Sequence, residues 1–352
     1  MRKDISKIRG FVFSVLSVCI VLYAGIACSD GEKDIDAAID AVNDNDAYRA
    51  IVPVDAEPKL LLDGVSSTPG LTFTEGPSWM NGTLYFSNYY KFWKEWGSSG
   101  EGGLIRLTRD GRHTVLNRNV QTCGTMPLPG GTLAVCDLIQ RSIVEMDTLG
   151  TILRTIVDSY EGTHLGMPND LVVDNRGGIY FTDPNNSGKD NEKQPGNAVY
   201  YLDPDGTLTR LTGWNEFGFP NGIVLSPDGL MLYLNDSKSH VLTCWDVLPD
   251  GSVTNRREFA DLSIPGIKPG SRKGSNADGM TIDTLGNLYV ASGIGLTIIG
   301  PGGGLIGVIR FPESPSNCIF GGDDMRTLFA TCRKRVYSIG LTVPGLLYPP
   351  VK

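Results

Sequence analysis

The sequence predicts an all-β fold, a ring of six four-stranded sheets, and three observations carry that prediction. Six stretches share one pattern: a polar anchor, a short strand, a Gly-containing turn and a second strand ending in a polar residue. Their anchors, Glu75, Cys123, Asn169, Asn221, Asp278 and Asn317, stand roughly 40 to 57 residues apart, the length of one propeller blade. The 352 residues also include 44 Gly and 21 Pro, too many for a helical bundle but expected where short strands meet in tight turns. The predicted class is therefore a six-bladed β-propeller.

The repeats occupy 75–88, 122–137, 168–183, 220–236, 277–292 and 317–332. Further strand pairs between them, such as 198–202 and 208–211 around Pro204-Asp205-Gly206, supply the outer strands. A single wide sandwich accommodates so regular a period poorly. Radial closure also hides the edge strands. Either the C-terminal stretch or the residues near Leu60 complete the last blade.

The chain opens with Arg2, Lys3, Lys7 and Arg9 before an apolar run from 11 to 27 that ends Ala24-Gly25-Ile26-Ala27-Cys28. This pattern predicts a signal peptide over 1–27 of the lipoprotein type, cleaved before Cys28, whose thiol is then lipidated. The stretch 28–57 begins acidic and poor in large apolar residues and is expected to be a flexible tether, with a short helix near 37–42 conceivable. The propeller is expected over 58–343 and a short tail over 344–352. The expected location is the periplasm or cell surface of a bacterial envelope, reached by a lipid anchor alone; the alternatives are an uncleaved anchor helix and, where cleavage is of the simple kind, secretion.

A net charge of −8 excludes nucleic acid as a partner, because phosphate binding needs a dense basic surface. Of seven cysteines, five fall within the propeller. Cys123 and Cys136 are placed to face each other across the hairpin at Pro129-Gly130, and an oxidising compartment permits a disulfide there. No C-x-x-C pair supports a structural zinc site. The three histidines, His113, His164 and His240, form no H-E-x-x-H pair, and neither a G-x-S-x-G elbow nor a P-loop occurs. Nothing indicates or excludes an oligomer.

In a propeller the first strand of each blade lines the central channel, so residues at one phase of the repeat form a ring. Glu75, Asn169, Asn221 and Asp278 bring two carboxylates and two amides to that phase, hard oxygen donors that suit Ca²⁺ or Mg²⁺. Asn-Gly and Asp-Gly are also common hairpin pairs, and Asp110-Gly111, Asp205-Gly206, Asp228-Gly229 and Asp250-Gly251 lie between strands, as turns do. Asn221-Gly222 and Asp278-Gly279 lie before the strand instead, in phase with Asn169-Asp170 and Glu75-Gly76.

On these motifs the chain resembles the senescence-marker, regucalcin-like gluconolactonases, six-bladed propellers with one divalent metal in the channel. The resemblance spans about 60–341. Its carriers are Glu75-Gly76-Pro77, Pro168-Asn169-Asp170 through Asp183-Pro184, Pro220-Asn221-Gly222 through Asp236-Ser237, Ala277-Asp278-Gly279 through Ala291, and Asn317-Cys318 through Gly322. It implies that Glu75, Asn221 and Asp278 bind the metal, that Asn169 contacts metal or substrate, and that Asp278 is the base. Relatives often carry Arg where this chain has Met167 and Asn where it has Cys123, so substrate preference is left open.

The expected activity is hydrolysis of a sugar aldonolactone to the aldonic acid. The cofactor is one divalent ion, Ca²⁺ first, with Mg²⁺, Mn²⁺ or Zn²⁺ as substitutes. The metal acts as a Lewis acid, and Asp278 serves as base or, alternatively, as nucleophile. Expected substrate contacts are Asn169, His164 and Met167 near the channel mouth, Tyr89 from the aromatic stretch 88–96, which is read as a lid or as packing, and Trp214 beside Phe217. The rivals are a binding propeller without catalysis and an esterase or organophosphate hydrolase on the same metal.

Overall fold

The computed structural model describes residues 30–64, 71–88, 103–184, 194–265 and 276–348. Six antiparallel four-stranded sheets follow one another along the chain. Blade 1 holds Thr74–Met80, Thr83–Asn88, Gly103–Thr108 and His113–Asn117, and blade 2 holds Thr122–Pro127, Leu133–Asp137, Ser142–Met146 and Ile152–Val157. Blade 3 is Leu171–Val173, Ile179–Asp183, Ala198–Leu202 and Leu208–Arg210, and blade 4 is Pro220–Leu225, Met231–Asp236, Val241–Val247 and Val253–Asp261. Blade 5 is Met280–Ile282, Leu288–Ser292, Gly295–Ile299 and Leu305–Ile309. Blade 6 takes Asn317–Gly321, Thr327–Cys332 and Arg335–Gly340, and its fourth strand is Lys59–Asp63 from the other end of the chain.

The ring therefore closes through the residues near Leu60. Every inner strand contacts the inner strands of the blades before and after it, including Thr74–Met80 against Asn317–Gly321. All six inner strands are buried along their whole length, whereas the outer strands Ile152–Val157 and Val253–Asp261 are largely exposed. The apolar core is thus shared between neighbouring sheets, as radial packing requires. Aromatic pairs lie within it, such as Phe181 on Tyr200 with ring centroids 5.1 Å apart.

In blades 1, 3 and 4 the polar residue that ends the second strand has a structural task. Asp183 accepts from the backbone N–H groups of Gly166 and Met167 at 2.7 and 2.5 Å, and Asp236 from those of Gly218 and Phe219 at 2.6 and 2.8 Å. Asn88 accepts from Thr72 N–H at 2.9 Å. In these three blades the side chain fixes the loop that leads into its own blade's inner strand.

The flexible tether expected over 28–57 requires correction. Helices α1, Asp30–Asn43, and α2, Asp46–Ile51, occupy it, longer than the short helix conceived near 37–42. Ile35, Ile39 and Val42 fall one helical turn apart, and Ile39 is buried against Val308 of blade 5 and Ile264 in the segment that follows blade 4. The Asn43 amide makes a reciprocal pair with Val308, donating to its carbonyl at 2.9 Å and accepting from its N–H at 2.7 Å. Asp36 and Asp40 pair with Arg310. The helices cover the outer edge of blade 5, which would otherwise present unpaired backbone groups. Asp36 and Asp40, part of the acidic composition that argued for a tether, lie on the exposed face of α1.

Residues 1–29, with the expected signal peptide and Cys28, lie outside the described residues, as do Tyr89 and the rest of the aromatic stretch beyond Asn88. The tail expected over 344–352 is docked as far as Tyr348. Gly345 pairs with Asp283, and the buried Tyr348 ring packs into the core at one end of the channel.

Candidate metal centre

The ring residues stand where the inner-strand ladders are interrupted. The pairing register slips between Glu75 and Ser78 in blade 1 and between Pro220 and Ile223 in blade 4. In blades 3 and 5 the ladder begins at Leu171 and Met280, so Asn169-Asp170 and Asp278-Gly279 precede it. Such irregularities release side chains from the pleat and re-aim them, here toward the axis.

Bonds between blades hold this layer together. Gly124 N–H donates to Asn169 carbonyl at 2.7 Å, Gly279 N–H to Ser316 carbonyl at 2.8 Å, Ser316 Oγ to Thr74 carbonyl at 2.7 Å and Ser87 Oγ to Cys123 carbonyl at 2.7 Å. Asn235 Nδ2 donates to Asp278 carbonyl at 2.5 Å, and Ser237 Oγ to Ala277 carbonyl at 2.6 Å. Glycine is required at this level by space: a Cβ on Gly279 would stand 1.9 Å from Asn317 Cγ, and one on Gly222 would stand 2.5 Å from the Asp278 carbonyl.

Within this frame Asn221 Nδ2 donates to Asp278 Oδ1 at 2.7 Å and to Ser237 Oγ at 2.9 Å. Glu75 Oε2 accepts from Gly76 N–H at 2.9 Å and from Asn317 Nδ2 at 3.3 Å. Burial pushes the Glu75 carboxyl well above its ordinary range, and the charges of Asp278 and Asp170 push it further. Asp170, whose Oδ1 accepts from Leu171 N–H at 2.9 Å, is raised to about 7, chiefly by burial. Asp278 is also raised to about 7 by burial, opposed first by the Asn221 bond and then by the positive charge of Arg333. Three carboxyls in mutual electrostatic reach, enclosed by protein, make a cluster that resists ionisation unless a cation joins it.

A divalent cation fits this donor set. Asn221 uses its amide nitrogen twice, and among the described residues nothing donates to its Oδ1 or to Glu75 Oε1. The side-chain amide of the half-exposed Asn169 makes no hydrogen bond among the described residues. Open hard oxygens beside under-compensated carboxyls are what Ca²⁺ or Mg²⁺ would take. Among the described residues no three His, Cys, Asp or Glu side chains are arranged to hold an ion by themselves, so such a site depends on the amides.

Two members of the cluster lie outside the four predicted ligands. Asp170 follows Asn169 directly, and Asn317 is the anchor of the sixth repeat, whose phase was the available signal. Both line a small cavity on the channel axis with Thr125, Thr281 and Tyr348, whose hydroxyl finds no partner there.

The predicted substrate contacts fare differently. His164 is exposed, on the small hairpin formed by Ser159–Tyr160 and Thr163–His164. Met167 belongs to the buried core, with its N–H held by Asp183, so it packs rather than presents itself to a ligand. Trp214 is half-buried, with the Arg210 guanidinium 4.1 Å from its ring centre and Tyr160 edge-on at 6.4 Å. Cys136 is a buried thiol outside any disulfide, as are Cys244, Cys318 and Cys332, so no disulfide joins it to the buried Cys123 across the hairpin.

Comparison with known proteins agrees with this architecture. A gluconolactonase of Zymomonas mobilis is 30% identical over 294 residues, which cover 76% of this chain and 78% of that protein. The solved structure of a gluconolactonase from Xanthomonas campestris superposes with a TM-score of 0.69 at 28% identity, over 84% of this chain and 93% of that one. A calcium-binding regucalcin from Agrobacterium tumefaciens, 19% identical, shares the fold with a TM-score of 0.65 over 84% of this chain and 98% of its own. A family model for the SMP-30/gluconolactonase/LRE-like region matches residues 73–334, from the residue before the Thr74–Met80 strand to the last turn at the ring end of blade 6, and the chain belongs to that family.

Proposed function

We propose that the chain hydrolyses a sugar lactone to its open acid in a metal-dependent reaction centred on Glu75, Asn169, Asn221 and Asp278, outside the cytoplasm. The observation that carries this reading is the buried carboxyl cluster of Glu75, Asp170 and Asp278 with Asn221 bonded to Asp278 at 2.7 Å. Membership of a gluconolactonase-containing family gives the reaction class, and the basic and apolar start of the chain, ending at Cys28, supports export.

A divalent ion of the Ca²⁺ kind, held by those four side chains, would supply polarisation of the lactone carbonyl. The protein's own residues do the rest. Asn221 and Asn235 hold Asp278 by side chain and backbone, so its carboxylate keeps one orientation. Asp278 takes the proton of the attacking water and returns it to the ring oxygen as the ester bond opens. Asn317 steadies Glu75 from the neighbouring blade. Tyr348 lines the axial cavity together with Asp170 and Asn317.

A pH-stat assay tests this with glucono-δ-lactone, other aldonolactones and an aryl ester, each with and without chelator. Acid release from lactones only, and only with metal, is the expected result. Turnover of the aryl ester in preference to every lactone would transfer the site to esterase chemistry. No turnover, with metal still raising Tm, would make the channel a binding site.

A further inference from the structure

We propose that Arg333 is a specificity-determining residue of this site and that it selects lactones carrying a negatively charged substituent; the inference rests on the lactonase reading above. Arg333 lies in the turn between Thr327–Cys332 and Arg335–Gly340, at the end of blade 6 where the ring residues stand. Its carbonyl accepts the Thr74 N–H at 2.6 Å, which sets it against the residue preceding Glu75, at the seam between the last blade and the first. Its backbone takes the left-handed conformation, φ 54°, which an arginine adopts only where the turn demands it.

The side chain is half-buried, with its guanidinium 5.4 Å from the centre of the Phe73 ring, a contact that limits its freedom. Its charge reaches Asp278. Other arginines on the blades, Arg109, Arg154, Arg176, Arg256 and Arg310, are engaged in ion pairs. Among the described residues no carboxylate pairs with Arg333. A planar guanidinium braced on an aromatic ring, beside the site and without a partner carboxylate, is suited to a carboxylate, phosphate or sulfonate group. Three carboxyls would otherwise repel such a substrate, and Arg333 supplies the compensating charge on the same rim.

The test compares two lactones with the same ring, D-glucono-δ-lactone and 6-phospho-D-glucono-δ-lactone, at fixed excess metal, in wild type, Arg333→Gln and Arg333→Lys. Arg333→Gln should lose about tenfold more kcat/KM on the phosphorylated lactone than on the neutral one, mainly through KM, with Arg333→Lys recovering part of the loss. In wild type, added salt should raise KM for the phosphorylated lactone more than for the neutral one. This measurement stands even if a variant folds poorly. Equal losses on both lactones, or a salt response that does not distinguish them, would overturn the inference while leaving the lactonase reading intact. If wild type hydrolyses neither of these nor any other aldonolactone, both fall.

Discussion

The same dipeptide, Asp-Gly, does opposite work at the two ends of the blades. In the hairpins, Asp110, Asp205, Asp228 and Asp250 are held below the ordinary carboxylate range by nearby hydrogen bonds, led by Thr108, Thr207, Ser226 and Ser252 respectively. At the ring, Asp278 is raised to about 7 by burial. The glycines differ as well. Gly111, Gly206, Gly229 and Gly251 have φ between 72° and 93° and serve the turn. Gly279 lacks a positive φ and is small because Asn317 occupies the space where a Cβ would go. Position within the repeat, rather than the dipeptide, decides whether the carboxylate is a local cap or a member of a buried cluster.

The strongest way to break this contrast is to neutralise one member of each class. Asp278→Asn should lower kcat by at least about 10³-fold with the fold retained, read by the pH-stat assay and circular dichroism. Substantial residual turnover would remove Asp278 as the base. The equivalent Asp205→Asn change should leave kcat at the wild-type level.

A second test uses pH. Because Asp170 and Asp278 are raised from 3.8 to about 7, the folded metal-free protein holds protons that the unfolded chain has released between about pH 4 and 7. Stability without metal should therefore fall as pH rises through that window. A divalent ion replaces those protons and binds more tightly as pH rises, so adding it should reverse the trend. Urea titrations with chelator and with Ca²⁺ measure both slopes. A chelated protein that becomes more stable from pH 4 to 7 would mean that the carboxyls are not clustered.

Glycine exchange sharpens the steric half of the comparison. Gly279→Ala should cost roughly 1–3 kcal/mol by overpacking against Asn317, and it should lower activity by displacing the Asn317 bond to Glu75. Gly206→Ala has nothing within 4 Å of the added Cβ and bears only the left-handed backbone cost, about 1 kcal/mol. Its kcat should be unchanged. The smallest effect expected is on Tm for Asp205→Asn, too small to separate from wild type, because an amide can still cap the Thr207 N–H.

Much of the architecture was legible because a propeller repeats its local rules. Anchor, turn and terminal polar residue recur in six segments, and each recurrence maps onto the first two strands of a blade. The ring phase was equally legible for Glu75, Asn221 and Asp278. Asp170 was harder to see, because two adjacent polar residues, Asn169 and Asp170, compete for one phase, and only the late start of the ladder at Leu171 brings both to the channel. Met167 looked available by its nearness in sequence to Asn169. Its burial depends on the neighbouring strands it packs against, which no local pattern reports. The α1 helix was misread as tether because its acidic residues were weighed above the Ile35, Ile39 and Val42 stripe.

The sequence by itself determined the number of blades, the phase that faces the axis and the oxygen chemistry of that phase, because these depend on residue type and spacing. Only the tertiary structure decided that Lys59–Asp63 closes the ring, that Tyr348 lines the axial cavity, and that Arg333 meets Thr74 across the seam. Each of these joins residues far apart in the chain. Such contacts are set by where the closing blade meets the first, a matter of global geometry that no short-range pattern encodes.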